Sequence, residues 1–143
     1  MPRLFIYLAL MISVAIAQGT NRSLQPTVRP TGSYVSQDHA VNGVLHFPSA
    51  SSSTLFIGIV VQDCFIDVRA IPYEIIHVEG SSHMIFLAYS GTALKIYVEQ
   101  CQDPNIVVED FAQLKFTFQP GGANLIDLVS SKGLWHGTFY HVD

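Results

Sequence analysis

Apolar and polar residues alternate along much of the chain after residue 37. Between Leu94 and Glu99, the residues Leu94, Ile96 and Val98 alternate with Lys95, Tyr97 and Glu99. Leu114, Phe116 and Phe118 alternate with Lys115, Thr117 and Gln119 in the same way, and Ile66, Val68 and Ala70 with Asp67 and Arg69. Successive side chains of a strand point to opposite faces, so each run predicts a strand with one apolar and one wet face. Two further runs, Leu55 to Val61 and Met84 to Tyr89, are almost continuously apolar. They fit strands buried on both faces, or edges of a second packed sheet. Shorter candidates are Val44 to Phe47, Tyr73 to Val78, Asn124 to Val129 and Thr138 to Val142.

Turn chemistry separates these runs. Ser90-Gly91 and Gly121-Gly122 suit tight connections that need a positive φ, while Asp103-Pro104-Asn105 and Pro120 break strands. Many short strands at this spacing predict an all-β fold, an antiparallel two-sheet sandwich of jelly-roll or concanavalin-like form. At most one short helix is expected, near 106–114, where Val107, Phe111 and Leu114 could line one helical face after an Asn105 cap.

The chain begins "MPRLFIYLALMISVAIAQ". Arg3 gives a positive start, Leu4 to Ile16 is almost wholly apolar, and Ala15-Ile16-Ala17 has the form of a cleavage site. This predicts a signal peptide over 1–17, removed before Gln18. The rival reading, an uncleaved anchor helix, wants an apolar run of ~20 residues. Residues 18–37, rich in Ser, Thr, Pro and Gln, read as a flexible polar leader too poor in apolar surface to offset the entropy of ordering. Asn21-Arg22-Ser23 within it is a glycosylation sequon at Asn21. Residues 38–143 then form a single domain.

Loss of the signal removes Arg3, leaving six Lys/Arg against eleven Asp/Glu, a net charge of −5 with His neutral. No basic cluster exists. Nucleic acid and heparin bind by having their charge neutralised, so neither is an expected partner.

The only two cysteines, Cys64 and Cys101, each end a strand candidate. In an exported chain such a pair is most simply a disulfide. The rival is a catalytic thiol, with His77 and His83 between the two in sequence. The six histidines, His39, His46, His77, His83, His136 and His141, form no zinc spacing. Asp63 and Asp67, four apart, would project to one strand face without being adjacent, and could form a carboxylate pair for acid–base work. Asp103 and Asn105 could ligate calcium with carbonyls of their loop, although a strand-breaking Asp-Pro-Asn turn is the better account of them. No metal or cofactor is therefore expected, and no catalytic motif of known spacing is present.

The stretch from Ile71 to Gln102 resembles the central part of laminin-G-like domains, above all the thrombospondin N-terminal type. The correspondence runs through Gly80-Ser81-Ser82-His83, the strand Met84 to Tyr89, the turn Ser90-Gly91-Thr92, and Ile96-Tyr97-Val98-Glu99 with Cys101. "GLWHGTFYHVD" is similar to that family's closing strand, with Gly137 starting the last pass. The resemblance implies a secreted adhesive or matrix module that recognises a protein or glycan. Tyr97, Trp135 and Tyr140 are the candidate partner-binding aromatics. The alternatives are a small secreted enzyme or inhibitor using Asp63 to Asp67 or His77 to His83, and a carrier of an apolar ligand.

Overall fold

A computed structural model describes residues 28–143. The expected signal segment 1–17 and the Asn21 sequon lie outside them. The strands are β1 (Gly32–Gln37), β2 (Val41–Phe47), β3 (Thr54–Val61), β4 (Cys64–Glu79), β5 (Ser82–Leu87), β6 (Gln113–Thr117), β7 (Leu125–Val129) and β8 (His136–Val142). Each pairs antiparallel with its sequence neighbours, and β1 also pairs with β8, closing a barrel. The expected two-sheet sandwich is thereby overturned. Period-two alternation separates the inside of a barrel from its outside just as it separates core from solvent in a sandwich. It says nothing about whether the first and last strands meet.

β1 also corrects the domain boundary. Gly32–Gln37, read as the end of a polar leader, is a wall strand whose Tyr34 and Ser36 point inward and are buried. Ser36 keeps its hydroxyl satisfied by donating to the Val41 carbonyl at 2.9 Å.

The near-continuous apolar runs obey the same alternation. Along β3, Leu55, Ile57, Ile59 and Val61 face the interior, whereas Phe56 and Gly58 are half-buried and Val60 is exposed. The interior is packed with large rings. Tyr34 meets Phe47 edge-on at 5.7 Å and Phe116 at 6.2 Å, and Phe47 meets Tyr73 at 5.4 Å. Burial pushes the Tyr34 phenol up to about 12. Gly137, in β8, sits in a close approach: a Cβ there would lie 2.6 Å from the Val41 side chain.

The segment 94–99 is not a strand. It forms helix α1 (Ala93–Gln100), which starts after Gly91, at φ 75°, and Thr92, whose hydroxyl donates to the Tyr89 carbonyl at 2.8 Å. Leu94 and Val98 are buried, Tyr97 and Cys101 pack beside them, and Ile96 is 57% exposed. These four inward residues have the spacing i, i+3, i+4, i+7 of one helical face. Lys95 and Glu99, 3.8 Å apart, face water as an i, i+4 pair. Period two and period 3.6 both bury Leu94 and Val98; the exposed Ile96 and the inward Tyr97 and Cys101 separate them.

The expected helix near 106–114 is a single 3-10 turn, Val108–Phe111, followed at once by β6. Asn105 does not cap it. The buried Asp110 carboxylate accepts the Val107 N–H at 2.9 Å instead. Its other oxygen accepts the Ser131 N–H at 2.7 Å and the Ser131 hydroxyl at 2.6 Å. One carboxylate thus ties this turn to the loop before β8.

Candidate interaction surface

Cys64, the first residue of β4, and Cys101, at the end of α1, form a disulfide with their Cα atoms 5.4 Å apart. The bond staples α1 to the barrel wall and uses both thiols, which leaves no catalytic cysteine. Asp63 and Gln62, both at positive φ, are the two-residue turn between β3 and β4. Asp67 stands on the outer wall of β4 opposite Gly58, with one carboxylate oxygen shielded and unpartnered. The two carboxylates therefore hold a turn and a strand position rather than a common site.

His77 and His83 face each other across the β4–β5 ladder with ring centroids 5.1 Å apart. His77 donates to the Gly80 carbonyl and His83 to the Ser81 carbonyl, at 2.9 and 3.3 Å. His83 is buried against Phe116. Its pKa is lowered, first by burial and then by the neighbouring His77, while the Ser81 carbonyl opposes the shift. Of the other histidines, His46 bonds Ser33, His136 lies 3.2 Å from Asp127, and His141 packs on Tyr34. Among the described residues no three His, Cys, Asp or Glu side chains are grouped to hold a metal ion. Asp103 accepts the Asn105 N–H at 2.9 Å, closing its own turn.

Only one of the three candidate aromatics stands free on the surface. Trp135 is buried, its ring 5.8 Å from Phe111 and its indole N–H donating to the Asn105 carbonyl at 3.1 Å. Tyr97 is half-buried on the inner stripe of α1. Tyr140 is 53% exposed on β8. Cross-strand pairing sets it beside Val35 and Leu125, and Val35 in turn beside Val44. Val142, two residues along, is also exposed. Further round the wall Val60 pairs with Phe65, which is 58% exposed. The outer wall therefore carries an apolar band on strands that also bear Asp67 and Arg69.

A second exposed apolar group was not legible beforehand. β4 runs for 16 residues, longer than either partner. Residues 64–72 pair with β3 and residues 73–79 with β5. Ile76 and Val78, on the upper half, are 50% and 56% exposed. The signal that could have exposed this was the unbroken extended run from Cys64 to Glu79 beside an eight-residue β3. Among the described residues no helix is long and apolar enough to cross a membrane. Comparison with protein-family models, with curated proteins and with solved structures finds no match for this chain.

Proposed function

We propose that the chain is an exported extracellular binding module that recognises a protein partner with the outside of its barrel. The observation that carries this reading is the contrast between the two faces of the wall. The inside is packed with Tyr34, Phe47, Phe116 and Phe139, all fully buried, and the outside leaves Phe65, Tyr140 and Val142 in water. Exposed apolar groups of this kind mark interaction sites. Export is supported by the Cys64–Cys101 disulfide, since such bonds persist in oxidising compartments. The adhesive role implied by the laminin-G-like stretch is compatible with this reading, but the sandwich that came with it is not.

The carrier alternative would place an apolar ligand where those rings now stand. Native mass spectrometry of the secreted protein mixed with a long-chain fatty acid separates the two readings. Surface recognition expects the bare protein mass with one disulfide. A saturable one-to-one complex would move the function to the interior.

A further inference from the structure

The upper half of β4 is a strand edge left open in an otherwise closed barrel. Tyr73 donates its N–H to Ser53 on the β3 side at 2.9 Å, while Pro72 accepts the Ala88 N–H on the β5 side at 2.9 Å. Backbone groups alternate sides along a strand. The groups of Glu74 and Ile76 therefore turn toward β5, and those of Ile75 and His77 turn away from it. The β5 side agrees, since Leu87 gives its N–H to Ala112 and so leaves Phe86 and Met84 to bond Glu74 and Ile76. The β3 ladder ends at Thr54 and Pro72. Among the described residues nothing pairs with the outward groups of Ile75 and His77.

We propose that this edge, Glu74 to Val78, takes an extended segment of a partner protein as an added antiparallel strand, with apolar side chains on Ile76 and Val78 and basic side chains at Glu74 and Glu79. The inference rests on the binding reading above and specifies one mode of it. Strand addition draws affinity from main-chain bonds and specificity from alternate side chains. Here the outward row is Glu74, Ile76 and Val78, with Glu79 beyond the bulge at the end of the hairpin. A surface hollow lined by Ser53, Pro72, Glu74, Phe86 and Ala88 lies at the foot of the edge, with room for a side chain.

Charge selects the occupant. In a self-pair that lets Ile75 bond His77 of the copy, Glu74 falls opposite Val78 and so beside Glu79 of the copy. That pairing would set two carboxylates against each other at each end of the ladder, in a protein that is already net negative. Like charges across strands are destabilising and opposite charges stabilising. A partner strand with Lys or Arg at its ends meets the same carboxylates favourably. The shortness of the edge and its charged flanks also deny it to uncharged apolar strands.

The test uses isotope-labelled secreted protein titrated with acetyl-Lys-Thr-Val-Thr-Val-Thr-Lys-amide, and with the same peptide carrying Glu in place of both Lys. The expected result is amide shifts centred on Ile75 and His77, with the Lys-ended peptide about tenfold tighter. In the Glu74→Lys, Glu79→Lys double variant the order of the two peptides should invert. Both positions are exposed, and an unchanged amide spectrum elsewhere certifies the fold. Shifts that map to another strand, or no inversion, would overturn the proposal. So would slow exchange of the Ile75 and His77 amides in the protein alone. Sedimentation would then tell whether a second copy or the chain's own residues 18–27 fill the edge. None of these failures touches the apolar band around Tyr140, which is tested separately below.

Discussion

The Tyr73 N–H donates to the Ser53 carbonyl at 2.9 Å, and that bond is the last on the β3 side of β4. Beyond it β4 continues with β5 alone. Ser52, next in the chain, accepts both the Tyr73 hydroxyl and the Arg29 guanidinium at 3.0 Å. Arg29 also lies over the Tyr73 ring, 5.2 Å from its centre. This junction fixes where the barrel wall ends and where the open edge begins.

The disulfide sets the first expectation. It closes 37 residues between Cys64 and Cys101. By loop-entropy arithmetic, the paired Cys64→Ser, Cys101→Ser variant should lose up to about 4 kcal/mol in urea unfolding. Limited proteolysis should then cut first within 88–107, where α1 is no longer held. An unchanged urea midpoint would show that the staple adds nothing to the fold.

Two substitutions distinguish helix from strand at 93–100. Val98 is 4% exposed and Ile96 is 57% exposed. Val98→Asp buries an unpaired carboxylate and should cost about 3 kcal/mol or more. Ile96→Asp should cost less than about 1 kcal/mol, mostly helix propensity. A strand with period two would bury both positions, so equal large losses would contradict α1.

Asp110→Ala removes an acceptor from the Val107 N–H and from two donors of Ser131. Three hydrogen bonds to a buried carboxylate are lost together, and about 3 kcal/mol of stability should disappear. Hydrogen exchange should speed up together in the 105–112 turn and the 130–135 loop. Exchange confined to one of the two would mean that the carboxylate does not couple them.

His83 makes stability depend on pH. Its folded pKa is lowered by burial, so unfolding takes up a proton once the pH falls below the ordinary value. The stability contributed by neutral His83 is present above about pH 6.5 and is lost as the pH falls toward its folded pKa. Urea midpoints measured from pH 7.5 down to pH 5 should fall more steeply in the native protein than in His83→Phe. Parallel curves would remove His83 from the account.

How much of this was legible follows from particular residues. The strands at β3, β6 and the first half of β4 could be read because Leu55, Leu114 and Ile66 alternate with outward neighbours. The disulfide could be read because two cysteines allow only one pairing. Closure was illegible: it depends on Val35 meeting Tyr140, a contact across most of the chain that leaves no local pattern. Helix α1 was misread because Leu94 and Val98 satisfy both periods. Trp135 read as a surface aromatic, yet Phe111 and the Asn105 carbonyl draw it inside, contacts that no local pattern announces. The exposed edge at Ile76 and Val78 was hidden for the opposite reason, since apolar residues in a strand ordinarily signify core.

The central claim is that the barrel wall, not its interior, engages a partner outside the cell. The most direct measurement replaces Tyr140 with a photoreactive phenylalanine and crosslinks the protein in extracellular fluid. One discrete protein adduct is expected, lost when Phe65→Ser and Val142→Ser are added and retained when the exposed Gln100→Ser is added instead. An adduct indifferent to Phe65 and Val142, or none at all, would contradict the claim.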